Sequence, residues 1–356
     1  MTLDGAVPAD TESTNGAIPV TTRADVVLSV RNLSVEFKTD DGIVHAVENM
    51  SFDVAANETL GIVGESGSGK SVTSLAILGL LPKTATVTGE VYLGVDNLVG
   101  KSDKQMQPLR GNDIAMVFQD ALAALNPVFR VGDQIAETIA VHETRPKADI
   151  DDRVVELLDL VGIPQARERA KQYPHEFSGG MRQRAMIAMA IANDPKVLIA
   201  DEPTTALDVT IQAQVLDVFE RVQDRTKTSI MLITHDLGVV AGVADRVLVM
   251  YGGRQVETGT VDQIFYNPRH PYTRGLLGSL PRLDRRYGNE RLARIKGQPP
   301  SLIFLPSGCA FHPRCRYADL RGLCVTDRPE FHELGDEHRS ACHFAETLDD
   351  RPVHDE

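Results

Sequence analysis

A chain of 356 residues is long enough for one large domain with a substantial core and a smaller unit beside it. Its 50 acidic residues outnumber its 37 basic ones, and the net charge of −13 argues against a protein held to nucleic acid mainly through phosphate contacts. The composition, 42% hydrophobic and 24% charged, is that of a folded soluble protein, and no apolar run reaches the roughly 18 residues that a membrane-spanning helix needs.

Residues 1–24 are rich in Thr, Ala, Asp and Gly and read as a disordered lead. The N-terminus lacks a basic stretch followed by an apolar core, so no secretory signal is expected and a cytoplasmic location follows. From Val26 the pattern turns to short β-branched runs, "VVLSV" and then "LSVEF". Between Thr59 and Val249 strand-like runs alternate with helix-like ones, which predicts an α/β domain with a largely parallel sheet over residues 25–265.

The stretch "TLGIVGESGSGKSVTSLAILGLL" carries the strongest signal. A short apolar strand, Leu60 to Val63, leads into Gly64-Glu65-Ser66-Gly67-Ser68-Gly69-Lys70-Ser71, and a helix follows until Pro82 ends it. This fits G-x-x-x-x-G-K-[ST] in the strand–loop–helix context that the motif requires. Its glycines let backbone N–H groups point inward around phosphates, at a helix start that favours negative charge. Lys70 is expected to reach the β- and γ-phosphates of a nucleoside triphosphate and Ser71 to ligate Mg²⁺. Further on, "KVLIADEPTTALD" predicts a buried strand from Val197 to Ala200 that delivers Asp201 and Glu202 at its C-terminal end. Alone, two carboxylates there are more often a helix cap. With the phosphate loop they read as a Mg²⁺ holder, Asp201, and a residue that orients the attacking water, Glu202.

"HEFSGGMRQRAMIAMAIAND" offers a second anion-binding helix start. Ser178, Gly179 and Gly180 precede a helix whose apolar positions, Ala185, Met186, Met189 and Ala192, recur at helical spacing. One chain thus presents two phosphate-binding helix starts for one nucleotide, so either they fold onto the same phosphates or two chains share the ligand. Near Asn267 the pattern breaks into "NPRHPYTRGLLGSLPRL", which marks a second, smaller unit over residues 266–356. The acidic stretch after Glu346 reads as solvated.

The phosphate loop, Gln119 in "MVFQD", "FSGGM", "LIADEP", "ALD" and His235 in "LITHD" together resemble the ATP-binding subunits of ABC transporters, in that family's order and over roughly residues 26–260. The resemblance implies a P-loop cassette with a helical signature subdomain, and a head-to-tail dimer in which Ser178-Gly179-Gly180 of one subunit faces the γ-phosphate held by the other. It also implies that Gln119 contacts Mg²⁺ and links nucleotide to the membrane partner. His235 is then expected at the γ-phosphate, Asp208 at the dimer seam and Phe37 stacked on adenine. "EFSGGMRQR" departs from the usual L-S-G-G-Q, and with "HPYT" at His270 to Thr273 it is similar to the D-type dipeptide and oligopeptide permease ATPases. That likeness implies peptide import at the cytoplasmic face of the membrane. The partners would be a second ATPase forming a heterodimer, two transmembrane permease subunits and, indirectly, an extracytoplasmic solute-binding protein, with no nucleic acid. Nickel and other small-solute importers share the build. A soluble ABC ATPase acting on nucleic acid or ribosomes would normally carry two cassettes or a coiled-coil insertion, and a silent ATP sensor would need a substitution at Glu202 or His235.

All four cysteines, Cys309, Cys315, Cys324 and Cys342, fall near the C-terminus with the spacing C-x₅-C-x₈-C-x₁₇-C. This matches neither the close pairs of structural zinc nor the common ferredoxin spacings, and a reducing compartment disfavours disulfides. Thiol chemistry leaves zinc and a [4Fe–4S] cluster both open, and likeness to the D-type subunits favours the cluster. The expectation is a small metal-stapled C-terminal unit, with His312, His332, His338 or His343 as substitute ligands. It lies far in sequence from every phosphate-binding residue and is expected to take no part in hydrolysis, and ATP binding is expected to be independent of it because the cassette has its own core.

Overall fold

The computed structural model describes residues 25–205, 207–280, 294–319 and 321–350. The lead expected over residues 1–24 lies outside the described residues. Two sheets organise the rest.

The first sheet is antiparallel, in the order β2-β1-β4-β5, with β1 at Val26–Thr39, β2 at Gly42–Ala55, β4 at Ala85–Leu93 and β5 at Asp96–Asn97. In β1 the fully buried residues are Leu28 and Val30, then Leu33 and Val35. That change from even to odd positions would turn the second pair outward in an unbroken strand. A bulge between Val30 and Leu33, with Asn32 in the left-handed region at φ 47°, absorbs one residue and keeps all four on the core face.

The second sheet runs β11-β12-β10-β9-β3-β8-β7-β6. Its parallel part comprises β3 (Thr59–Val63), β6 (Ile114–Val117), β7 (Val197–Asp201), β8 (Ser229–Thr234) and β9 (Arg246–Tyr251). Every residue of β3, β7 and β8 is buried, as expected where both faces of a parallel sheet are covered. Alternate residues serve the two faces. Leu198 and Ala200 join a cluster with Ile135, Leu157, Met186 and Val218 of the surrounding helices, while Val197 and Ile199 join the core beneath the antiparallel sheet.

Beyond β9 the sheet turns antiparallel through β10 (Arg254–Thr260), and the C-terminal hairpin β11 (His332–Gly335) and β12 (His338–Ser340) extends it, with Glu257 opposite Ser340. The hairpin brings a buried polar group with it. Glu257, fully buried, accepts hydrogen bonds from the backbone N–H of Arg269 (2.6 Å) and of His270 (3.0 Å), and pairs with Nε2 of buried His338 at 2.9 Å. A buried carboxylate is tolerated only when its lone pairs are taken up in this way. Of the stretch after Glu346, expected to be solvated, the described part docks instead: Leu348 is fully buried and Asp349 pairs with Arg269 and Arg274, while residues 351–356 lie outside the described residues.

The expected metal staple is corrected by this structure. Cys309, Cys315, Cys324 and Cys342 do border one cavity, but its volume is about 20 Å³. That is room for about one water molecule. Among the described residues no group of three or more His, Cys, Asp or Glu side chains is arranged to hold a metal ion, which removes the zinc alternative as well. Burial pushes the thiols of Cys315 and Cys342 up to about 12 and raises that of Cys309. The histidines are engaged elsewhere or exposed: His312 Nδ1 lies 2.9 Å from the Cys309 carbonyl, His343 Nε2 lies 2.8 Å from that of Asp327, and His332 is exposed. Aromatic packing holds the unit. Phe311 sits edge-on to Tyr251 at 5.1 Å and to Tyr272 at 5.4 Å between ring centroids, which fixes the cysteine segment against β9.

Candidate active site

The parallel strands β3, β8, β7 and β6 lie side by side, so whatever follows their C-terminal ends is brought to one edge of the sheet, where ligands bind in such folds. The loop 64–71 follows β3, His235 follows β8, Asp201 and Glu202 end β7, and Phe118-Gln119 follow β6. Strand adjacency thus decides which of the expected site residues meet.

In the phosphate loop Gly69 takes φ 100°, and a Cβ there would come 2.4 Å from the Ala46 carbonyl oxygen, so only glycine fits on both counts. The Lys70–Ile77 helix begins directly after it. Lys70 is only 5% exposed, and its Nζ donates to the carbonyls of Gly64 (2.8 Å) and Glu65 (3.0 Å). Burial lowers its pKa, opposed by the charges of Glu202, Asp201 and Glu65. An ammonium short of solvent and held, among the described residues, only by two loop carbonyls is available to an anionic ligand entering the loop.

Asp201 is buried, and burial raises the pKa of its carboxyl against a hydrogen bond from Ser71. Among the described residues its Oδ1 has no hydrogen-bond partner. A buried carboxylate oxygen left without a donor, beside a serine hydroxyl, fits a hard divalent cation such as Mg²⁺, which prefers oxygen ligands.

Glu202 stands at φ 48°, a strained conformation for a residue with a side chain, held by its own N–H donating to Ile233 O at 2.8 Å. The strain turns the carboxylate into the site. One oxygen accepts from the Gln119 amide (3.2 Å) and from the Thr205 hydroxyl (2.8 Å), and the other lies 3.4 Å from Nδ1 of His235. Thr205 has no place in the sequence reading, although it stands in "DEPTT" three residues after Glu202 and threonines near a strand end commonly bond back to the chain.

The second anion-binding stretch forms as a capped helix start. Ser178 is the N-cap of the Gly179–Ala190 helix, and its hydroxyl accepts from Met181 N at 3.3 Å. A Cβ on Gly180 would strike Ile211 Cγ2 at 2.6 Å, whereas one on Gly179 would meet nothing within 4 Å among the described residues. Asp208 caps the neighbouring Val209–Thr226 helix by accepting from Ile211 N at 3.0 Å, so Gly180 and Asp208 meet through Ile211. Phe37 is half-buried in β1, opposite Val44 and Ala85, and packs against the core of the antiparallel sheet.

The ABC transporter family model matches residues 47–205, and the model for the oligopeptide/dipeptide transporter C-terminal region matches residues 256–321. The dipeptide transport ATP-binding protein DppD of Bacillus subtilis is 56% identical over 81% of this chain and 86% of its own length. The oligopeptide transport ATP-binding protein OppD of the same organism is 55% identical over 83% of each chain. In the solved dimeric structure of a bacterial ABC transporter cassette, a chain 26% identical to this one aligns with a TM-score of 0.59, over 66% of this chain and 98% of that one. Identity at this level over most of both chains, with both models matched in sequence order, shows that the protein belongs to the ATP-binding proteins of ABC transporters, in the group that carries the oligopeptide/dipeptide transporter C-terminal region.

Proposed function

We propose that the protein is the ATP-hydrolysing subunit of an importer that powers uptake of dipeptides or oligopeptides across the cytoplasmic membrane. The observation that carries the reading is the cluster at the sheet edge, in which Glu202 meets Gln119, Thr205 and His235 beside the loop that holds Lys70. The peptide class is supported by the relatives, which are named for dipeptide and oligopeptide transport.

In this reading the backbone N–H groups of loop 64–71 and the Lys70 ammonium hold the β- and γ-phosphates. Ser71, Asp201 and Gln119 would hold Mg²⁺, which when bound supplies charge neutralisation on the phosphate oxygens. Glu202 orients and polarises the attacking water, Thr205 and Gln119 fix the carboxylate, and His235 contacts the γ-phosphate. Phosphoryl transfer asks mainly for such positioning. The Ser178-Gly179-Gly180 helix start serves a nucleotide held by a second cassette, Asp208 lies at the seam, and Phe37 stacks on adenine. The partner cassette is a different ATPase chain, and the pair docks under two permease subunits fed by a solute-binding protein. No helix among the described residues is long and apolar enough to cross a membrane, which suits a subunit attached peripherally at the cytoplasmic face.

The test is uptake by membrane vesicles carrying the assembled transporter. Labelled di- or oligopeptide should accumulate with ATP, and Lys70→Ala in this chain should abolish the accumulation. ATP-dependent uptake of Ni²⁺ in place of peptide would overturn the peptide assignment.

A further inference from the structure

Glu65, the second residue of the phosphate loop, is gripped from the C-terminal unit on two sides. Its N–H donates to the hydroxyl of Tyr272 at 2.8 Å, across 207 residues of sequence. Its carboxylate receives both arms of the Arg314 guanidinium, at 2.6 and 3.0 Å, across 249 residues. Its carbonyl accepts from Lys70 Nζ at 3.0 Å and from Ser68 N at 3.2 Å. We infer that Arg314 and Tyr272 are positioning residues for nucleotide binding, acting through Glu65 on the loop that presents Lys70. The inference rests on the reading of loop 64–71 as the triphosphate cradle.

Both grips are built into the fold. Tyr272 is fully buried with its ring 4.7 Å from that of Tyr251 and 5.4 Å from that of Phe311, so its position is set by packing. A buried tyrosine hydroxyl requires a hydrogen-bond partner, and here the partner is the loop. The Arg314 side chain is only 6% exposed, and its remaining N–H groups reach the carbonyls of Lys296 (3.0 Å) and Gly297 (3.3 Å) and the Tyr251 hydroxyl (3.3 Å). A bidentate arginine–carboxylate pair fixes direction as well as distance. With its N–H and side chain both anchored, Glu65 has no freedom to swing the carbonyl that holds the ammonium.

The pair also acts through charge. The Glu65 carboxylate is near enough to act on the Lys70 ammonium. Paired with Arg314 it is neutralised. Unpaired it would be a partly buried anion next to the place where a triphosphate binds, and like charges at short range in a poorly hydrated site repel strongly. On this inference ATP binding depends on the cysteine-bearing unit, since Arg314 is the residue immediately before Cys315.

The experiment is equilibrium binding of a fluorescent ATP analogue to the full-length chain. Arg314→Met should weaken binding by about 10-fold, the size expected when a charged hydrogen-bonded pair is broken. Adding Glu65→Gln to Arg314→Met should restore affinity to within about 3-fold of wild type, because the stranded charge is gone and only the loss of the Arg314 anchor remains. A merely structural role for Arg314 would leave the double variant as weak as the single one, and that result overturns the inference. Tyr272→Phe keeps the ring in its packing and removes only the hydroxyl. It should weaken binding several-fold even if Arg314→Met fails to fold, and wild-type affinity in this variant also overturns the inference. Lys70→Ala separates the two readings. If it leaves affinity intact, loop 64–71 is not the cradle and both readings fall. If it abolishes binding while Arg314→Met and Tyr272→Phe are silent, only the positioning role falls.

Discussion

The Glu202 carboxylate accepts a hydrogen bond from the Gln119 amide at 3.2 Å across 83 residues of sequence. The contact exists because β6 and β7 are neighbours in register, Val117 opposite Ala200, so that the residues just beyond the two strand ends must meet. It ties the Glu202 carboxylate to a segment that also carries the exposed Phe118.

Glu202→Gln should separate binding from chemistry. The amide keeps the size of the side chain and its bond from Thr205, so ATP should still bind, while turnover falls by on the order of 10²-fold or more because the water loses its polarising partner. ATPase rates beside ATP-binding isotherms check this. Wild-type turnover in the variant would take Glu202 out of the mechanism.

The proposed sharing of each nucleotide between two cassettes predicts a mixing effect. Lys70→Ala damages the cradle and Ser178→Arg damages the face offered to another chain. Where the chain pairs with itself, mixing the two inactive variants should return partial activity, since one of the two sites in each mixed dimer then carries no defect. Exchange of subunits without recovery would argue for a self-contained site.

Gly179 and Gly180 should respond in opposite ways to alanine. Gly180→Ala drives a methyl against Ile211 Cγ2, 2.6 Å away, and should cost about 1–3 kcal/mol of stability. Gly179→Ala meets nothing within 4 Å among the described residues, so stability should stay within about 0.5 kcal/mol of wild type while ATPase activity falls. Thermal melts and ATPase rates measured side by side distinguish the two. A normal ATPase rate in Gly179→Ala would mean that no ligand or partner approaches that face closely.

His270 should make stability fall at moderately acid pH. It is 1% exposed, its Nδ1 accepts from Tyr272 N at 3.1 Å, and burial pushes it down to about 3 from an unfolded value of 6.5. The folded chain keeps it neutral while the unfolded chain takes up a proton between those values. Its contribution is therefore complete above pH 6.5, declines as pH falls toward 3 and then levels off, a difference on the order of 5 kcal/mol. His270→Asn can still cap the Pro271–Gly278 helix but does not titrate, so its stability should fall less steeply over that window. Parallel pH profiles for the two proteins would sink the assignment.

The sequence alone determined the features that one continuous stretch of chain must build. The turn at Gly69, the lysine after it, the carboxylates ending an all-apolar strand and the serine-capped helix at Ser178 are all local, because backbone conformation and hydrogen-bonding need are local and leave a readable pattern of residue types. The all-apolar runs of β3, β7 and β8 likewise announced a sheet covered on both faces. Tertiary structure decided what those pieces touch. Nothing periodic in the chain could say that Glu202 would meet both Gln119 and His235, since that follows from the order in which strands pair. Nor did the clustering of cysteines reveal that they would close on a space for about one water molecule, a matter of how Phe311 packs against Tyr251 and Tyr272. The grip of Arg314 and Tyr272 on Glu65 was out of reach for the same reason. Contacts between residues more than 200 positions apart are set by the summed packing of the layers between them, and that sum has no signature in any local window of sequence.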